Sequence, residues 1–577
     1  MYQASFTVFA KLQPALRRNC GTGVSEQVIL KRRFAQIDEK TVSEERSMQP
    51  ERSGANMVKE GKEAARGMMP DTKPAGGLQK VPQQAGASSE EAGKAGLRFA
   101  IHTLGCRVNT YESDAIAQAM RAAGFSETGF SEPADVYIVN TCTVTNVADK
   151  KSRQMLHRAK KLNPAALVVA AGCYVDAALQ NAEMQAVLRD AAVDLLVPNR
   201  EKPRIAELVL ERLKGETMLS AGQLLQNAGA GAAQKNGAVR ETAAETGKRS
   251  AAQPFLTELD GHTRAFVKVQ DGCNQFCSYC IIPYVRGRIC SRPIADCVEE
   301  IRRLSENGVK EVVLTGIHLS SYGKDWERRE TVQAVRFSDD IMNTADAPLL
   351  ELLSAVHAIP GIERIRMGSL EPRLMSEAFV SRIAALPKIC PHFHLSLQSG
   401  CAATLKRMNR HYTPDEYRQS CARLRRYYEN PAITTDVIVG FPGETEAEFA
   451  ESRAFIEEIG FYELHVFKYS RRAGTRADRM DGQVLEGIKE ARSRELLLLA
   501  EQMSHAYRSQ FLGKELSLLC EELEEADGRS YAAGYSREYI RCRKPCSADA
   551  FVRSAVVSGT AAEICKEKEV YETLILR

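Results

Sequence analysis

Nowhere in its 577 residues does the chain carry an apolar run of eighteen or more, which excludes a membrane-spanning helix of ordinary length. It also lacks an excess of charge of one sign. Lys and Arg number 78 against 74 Asp and Glu, and a net charge of +4 does not by itself argue for nucleic acid. No secretory signal is expected, and the 16 cysteines are spread along a long chain. That distribution speaks against a disulfide framework and for a reducing, cytoplasmic setting with thiol or cluster chemistry. The length is too great for one hydrophobic core, so three or so domains are expected, and a hydrophobic fraction of 44% is ordinary for a globular protein.

Residues 1–96 read as a disordered, basic extension with no catalytic role. Its first part holds Lys11, Arg17, Arg18, Lys31, Arg32 and Arg33 against Glu26, and residues 70–96 are rich in Pro, Gly, Gln, Ser and Ala. A second polar, Ala/Gly-rich stretch within residues 219–257 reads as a linker.

What is present begins with Cys273-x3-Cys277-x2-Cys280, set after an apolar strand and before Pro283. Three thiolates on one tight loop suit three irons of a 4Fe–4S cluster and leave the fourth iron open to chelate S-adenosylmethionine. Zinc usually takes four ligands in two pairs, whereas this loop offers three with no nearby histidine.

From residue 97 short apolar runs alternate with helical stretches. Three successive runs end at Cys106, Cys142 and Cys173. Strand–helix repeats of this kind build a parallel sheet, so the three cysteines are expected together at its carboxyl edge as ligands of a second cluster. Six more strand–helix units lie between about 258 and 475, with strands at 266–270, 311–317, 364–370, 392–398, 433–439 and 463–469 and a helix at 373–386. Six units fall short of a closed eight-unit barrel and leave a lateral opening. Polar residues collect at the strand ends: Gly316, His318, Ser369, Glu371, Gln398, Ser399, Asp436, Ser470 and Arg471. A long helix over about 483–510 precedes short strands at 515–520, 530–535, 539–543, 551–557 and 569–576, the pattern of a small β-barrel.

The loop, with Gln270-Asp-Gly-Cys-Asn before it and Ile281-Ile-Pro-Tyr-Val-Arg-Gly287 after it, resembles the radical S-adenosylmethionine methylthiotransferases. So do Leu104-Gly-Cys-Arg-Val-Asn-Thr-Tyr-Glu112, Asn140-Thr-Cys-Thr-Val-Thr-Asn146, Ala171-Gly-Cys-Tyr174 and Gly440-Phe-Pro-Gly-Glu-Thr445, and the resemblance runs over roughly residues 97–577. It implies an α/β fold in three parts. These are an N-terminal parallel methylthiotransferase domain (97–218), a partial (β/α)6 radical barrel (258–510) and a C-terminal barrel like the RNA-binding TRAM domain (511–577). Two 4Fe–4S clusters are implied, one on Cys106, Cys142 and Cys173 and one on Cys273, Cys277 and Cys280. S-adenosylmethionine would meet Tyr279, Gly316, Gln398, Asp436 and Gly440, and tRNA, an external electron donor and a sulfur source would be partners.

The nearest branch by resemblance puts a methylthio group on C2 of N6-threonylcarbamoyladenosine at position 37 of tRNA. Alternatives are the sister reactions on isopentenyl-adenosine or a ribosomal-protein aspartate, a radical methylase whose first three cysteines are structural, and a cluster-bearing RNA sensor without turnover. The first branch requires a cation or several donors for the threonylcarbamoyl carboxylate, with His318, Arg471 and Arg472 as candidates. RNA contact is expected on Lys150, Lys151, Arg153, His157, Arg158, Lys160 and Lys161, on Arg286 and Arg288, on Arg423, Arg425 and Arg426, and on a face of Arg537, Arg541, Arg543 and Lys544. Cys290, Cys297, Cys390, Cys401 and Cys421 show no ligand spacing and read as structural.

Overall fold

The structure is a computed structural model describing residues 96–191, 193–215, 256–257, 263–326, 348–526, 528–567 and 571–577. The expected N-terminal extension and linker lie outside the described residues, apart from Gly96, Leu256 and Thr257. Everything described falls within one compact unit, Ala87–Arg577.

The N-terminal part is a parallel sheet in the order β2-β1-β3-β4-β5, made of β1 (Arg98–Thr103), β2 (Ser126–Glu127), β3 (Val136–Thr141), β4 (Leu167–Gly172) and β5 (Leu195–Val197). Every residue of β3 (VYIVNT) and β4 (LVVAAG) is buried. Such unbroken runs are what a strand covered by helices on both faces requires. Helix α1 (Arg107–Ala122) follows β1 and buries Val108, Tyr111, Ile116, Ala117 and Met120 along one face. Helix α2 (Asn146–Leu162) follows β3, and the Thr145 side chain caps it by accepting from the Ala148 amide.

The central strands are β6 (Arg264–Asp271), β7 (Cys290–Ser291), β8 (Glu311–Gly316), β9 (Arg364–Met367), β10 (His392–His394), β11 (Ala432–Val439) and β12 (Glu463–Lys468). Two sheets, β7-β6-β8-β9 and β10-β11-β12, are joined by the bridges Ile365↔Ile389 and Leu370↔Leu395. Among the described residues no bridge pairs β6 with β12, so the half-barrel expected from six units is open on that side. The strands expected at 364–370 and 392–398 are shorter because Leu370 and Gln398 form isolated bridges beyond their ends. The helix expected over 373–386 is split. A 3-10 turn, Pro372–Leu374, comes first, and Ser376 then caps Glu377–Ala384 by accepting from Phe379 N.

The long helix α3 (Glu486–Ser509) leads into a closed five-stranded barrel of β13 (Glu515–Ala526), β14 (Arg529–Tyr535), β15 (Arg541–Pro545), β16 (Val556–Glu567) and β17 (Tyr571–Leu576). The strand expected at 551–557 starts later, at Val556. Ala548–Ala550 form a 3-10 turn, and Ser554 takes a positive φ of 63° that no strand accommodates. Among the described residues no helix is long and apolar enough to cross a membrane.

Candidate active site between two cysteine triads

Strands β1, β3 and β4 run parallel and adjacent. Cys106 caps α1 after β1, Cys142 follows β3 directly, and Cys173 opens the short helix Cys173–Ala178 after β4. The expected shared edge is therefore present. Gly105 makes the close approach possible, because with φ at +98° a Cβ there would lie 2.7 Å from Cys142 Sγ. Asn109 fastens the turn, donating to Leu104 O at 2.6 Å and Thr141 O at 3.0 Å, and Ser152 Oγ donates to Cys142 O at 3.0 Å. Burial pushes the Cys142 thiol up to about 12, and nearby Cys173 and Cys106 push in the same direction. Arg286, from the central domain, donates through Nε to Cys173 Sγ at 3.2 Å.

Cys273, Cys277 and Cys280 share one loop beyond β6. Cys273 N donates to Gly287 O at 3.1 Å and Cys280 N to Cys277 O at 2.9 Å. Asn409 Nδ2 holds Phe276 O at 3.0 Å, where Phe276 has a positive φ of 48°. Burial raises the Cys273 thiol to about 11 and the Cys280 thiol to about 12, with Cys277 adding to both. Arg410 donates to Cys277 Sγ at 3.2 Å. Each triad thus holds three free thiols with one guanidinium against a sulfur. Sulfurs of one tetrahedral zinc would stand about 4 Å apart. Among the described residues the one group whose ligand atoms all lie within 4.8 Å is His394, Asp436 and His465, so neither triad has closed to single-ion spacing. Wider-set thiolates beside a cation fit an iron–sulfur cluster.

The strand-end residues divide. Gly316 ends β8, where a Cβ would meet Gln270 Oε1 at 2.8 Å, and that oxygen accepts from His318 N at 2.8 Å. Buried Gln398 has φ of 67° and passes its amide to Asp436 O at 2.8 Å. Gly440 N donates to Glu444 Oε2 at 2.8 Å. Tyr279 meets Phe441 edge-on at 6.3 Å in a small apolar cluster with Met408 and Ala477. Asp436 pairs with His394 Nε2 at 3.3 Å. His318 stands 3.7 Å from Glu371, burial lowers its pKa to about 4, and its Nε2 has no hydrogen-bond partner. Glu371 in turn receives Gln275 Nε2 at 3.4 Å and faces Arg410 at 3.8 Å.

Buried charge joins the two parts. Glu112 of α1 meets Lys202 at 2.6 Å, Lys268 at 2.9 Å and Arg286 at 3.1 Å, and Arg286 reaches Asp271 at 3.1 Å. Burial opposes ionisation of Glu112, but Arg286, Lys202 and Lys268 outweigh it and hold the carboxyl well below its usual range. Arg472 is buried too, bonded to Asp149 and to Thr143 of the N-terminal part.

Several expectations are corrected here. Arg286 is a buried site residue and no RNA contact. Arg472 docks the two parts together, and Arg471 is tied to Asp478 at 3.1 Å, so neither is a free cation for a carboxylate. The expected positive face on the C-terminal barrel is neutralised in part, and its other two cations are engaged by backbone carbonyls. Arg541 and Arg543 pair with Glu524, Arg537 donates to Ile389 O at 2.9 Å, and Lys544 donates to Ser558 O. Arg425 and Arg426 are likewise occupied by Gly460 O at 3.1 Å and Glu377 at 3.2 Å. Arg410 and Glu112 were not anticipated in their roles. Their partners lie far away in sequence, and no local pattern marks them. Cys297, Cys390, Cys401 and Cys421 are buried in the packing.

Residues 267–456 match the Radical SAM superfamily, and residues 98–196 match the Uncharacterized protein family UPF0004. The threonylcarbamoyladenosine tRNA methylthiotransferase MtaB of Bacillus subtilis is 36% identical over 444 residues, covering 77% of this chain and 89% of the relative. The MtaB of Aquifex aeolicus is 35% identical, covering 73% of this chain and 92% of its own. The tRNA-2-methylthio-N(6)-dimethylallyladenosine synthase of Desulfotalea psychrophila is 34% identical, covering 74% and 89%. With two cysteine triads linked through Arg286 and likeness of this extent, the chain belongs to the radical S-adenosylmethionine tRNA methylthiotransferases.

Proposed function

We propose that this enzyme replaces the C2 hydrogen of N6-threonylcarbamoyladenosine in tRNA, at position 37 beside the anticodon, with a methylthio group. The observation that carries the reading is the pairing of two cysteine triads across one polar interface, where Arg286 touches Cys173 on one side and Asp271, just before Cys273, on the other. In this reading Cys273, Cys277 and Cys280 hold the cluster that binds S-adenosylmethionine, while Cys106, Cys142 and Cys173 hold the second cluster. When bound, these groups supply the carbon radical and the methylated sulfur, chemistry that acid–base groups cannot offer to an aromatic C–H bond.

The chain's own residues orient and exclude. Arg410 and Arg286 each place a guanidinium against one sulfur of a triad, Cys277 and Cys173 respectively, and so hold positive charge beside each proposed cluster. Gln270, Gly316 and His318 shape the end of β8 next to the loop, and Tyr279 closes its outer side against Phe441. Lys150 and Lys161 on the exposed face of α2 offer phosphate contacts. So does a concavity of about 550 Å³ lined by Lys406, Arg476 and Arg479. What supports the threonylcarbamoyl substrate is the relatives that carry it in their names, although a relative named for the dimethylallyl substrate is nearly as similar. Incubating the reconstituted enzyme with tRNAs bearing each modification, followed by nucleoside mass spectrometry, tests the assignment. Methylthiolation of the threonylcarbamoyl tRNA is expected. Product from the isopentenyl tRNA alone would refute the substrate while leaving the two-cluster reading intact.

A further inference from the structure

Arg107 is the first residue of α1, directly after Cys106. The helix behind it is clamped to the half-barrel: Tyr111 OH donates to Glu300 at 3.0 Å, Glu112 meets Lys268 at 2.9 Å, and Gln118 accepts from Thr257 N at 2.9 Å. This clamp sets the first turn of α1 at the open side of the barrel. The Arg107 guanidinium lies 5.9 Å from the ring of Phe266 on β6, one border of the gap. Its charge also acts on His465 of β12, the other border, and on Asp436 and His392 further inside. Arg107 is exposed, and among the described residues it has no hydrogen bond or ion pair.

Opposite it, His394, Asp436 and His465 stand on three neighbouring strands. Asp436 pairs with His394 at 3.3 Å, and the His394 and His465 rings stack at 5.8 Å. Their ligand atoms lie within 4.8 Å of one another, a spacing that suits a cation, but an adjacent unpaired guanidinium adds like charge and disfavours one. An anion is the better match. Asp436 already pairs with His394 at 3.3 Å, which leaves the exposed Arg107 guanidinium as the group to meet an anion at the gap.

We propose that Arg107 binds the carboxylate of the threonylcarbamoyl group and so selects that substrate over the apolar isopentenyl one. The proposal rests on the substrate reading above. A guanidinium meets a carboxylate through two parallel charge-assisted bonds, and the isopentenyl group offers nothing to replace them. Because Arg107 adjoins Cys106, the contact holds the modified base beside the second triad, where the sulfur must arrive. The sequence contains the residue but not its meaning, since Arg107 reads as a solvent-facing first-turn cation until the helix is docked across the gap.

The test is equilibrium binding of anticodon stem-loops carrying threonylcarbamoyladenosine, isopentenyl-adenosine or plain adenosine to the reconstituted holoenzyme, its Arg107→Gln variant and its Arg107→Lys variant. The wild type is expected to prefer the threonylcarbamoyl loop over the plain one. Arg107→Gln removes that preference, a loss of roughly ten- to a hundred-fold, while Arg107→Lys retains part of it. Full preference in Arg107→Gln overturns the proposal, and so does equal weakening toward all three loops, which would mark a phosphate contact. A wild type that favours the isopentenyl loop instead overturns the substrate reading itself, an outcome visible before any variant is made.

Discussion

The Nε of Arg286 donates to the Sγ of Cys173 at 3.2 Å, so a residue just beyond the Cys273–Cys280 loop touches the other cysteine triad directly. The same guanidinium is shared by Glu112, Asp271 and the side-chain oxygen of Asn109. The network therefore sets the spacing of the two triads.

Removing the carboxylate at the centre of this network is predicted to cost more than removing the arginine. In Glu112→Gln, Lys202 loses its ion pair while Arg286 and Lys268 keep only Asp271, and denaturant unfolding should show a loss of about 3–5 kcal/mol. In Arg286→Gln the carboxylates still have Lys202 and Lys268. The stability loss should be smaller there, but iron retained by the Cys106–Cys142–Cys173 triad should fall. Equal stability losses in the two variants, with iron unchanged, would contradict this account.

The two triads should separate cleanly by substitution. Cys273→Ala, Cys277→Ala or Cys280→Ala is predicted to abolish reductive cleavage of S-adenosylmethionine and to leave about half the iron, since one of two like clusters is lost. Cys106→Ala, Cys142→Ala or Cys173→Ala should also halve the iron but keep 5′-deoxyadenosine formation, without methylthiolated product. Iron analysis with chromatographic detection of both products checks this. Wild-type nucleoside product from any of the second set would remove their assigned role.

The sheet edge bearing three cysteines was legible in the sequence because strand direction and side-chain position follow from local pattern. Val136–Thr141 and Leu167–Gly172 are short apolar runs that end at cysteines, and parallel pairing alone brings those ends together. The six barrel strands were legible for the same reason. What the pattern could not reveal was pairing across parts of the chain. Arg286 and Arg472 read as exposed cations because nothing local shows Cys173, Glu112 or Asp149 waiting for them. Likewise the cations of the C-terminal barrel looked like one face, until β13 brought Glu524 opposite Arg541 and Arg543. The late start of β16 was hidden by the turn at Ser554, whose left-handed backbone no propensity anticipates.

Arg472 and Asp149 are predicted to be energetically coupled, since both are buried and the bond between them joins the N-terminal part to the half-barrel. In a double-mutant cycle with Arg472→Met and Asp149→Asn, the interaction should fall in the range of about 1–3 kcal/mol. Additive single effects would mean that docking relies on the remaining contacts.

Glu311 gives the clearest dependence on pH. It is fully buried at the start of β8, with Arg264 at 2.7 Å, Arg366 at 2.8 Å and Arg364 at 3.6 Å. These arginines also grip the C-terminal barrel. Arg364 donates to Tyr535 O at 2.9 Å, Arg366 donates to Ser536 O at 2.7 Å, and Arg264 pairs with Glu521. Burial opposes ionisation of Glu311, but the three guanidinium groups prevail and lower its pKa from 4.5 to about 2. A carboxyl depressed on folding stabilises fully above its unfolded pKa and loses that contribution as pH falls through the folded one. The window is therefore about pH 5 down to about pH 2, and the contribution lost is about 3 kcal/mol at 1.36 kcal/mol per unit. Unfolding by denaturant across that window should show wild-type stability converging on that of Glu311→Gln, which cannot titrate there. A gap between the two that stays constant with pH would show that Glu311 holds the C-terminal barrel by packing and not by charge.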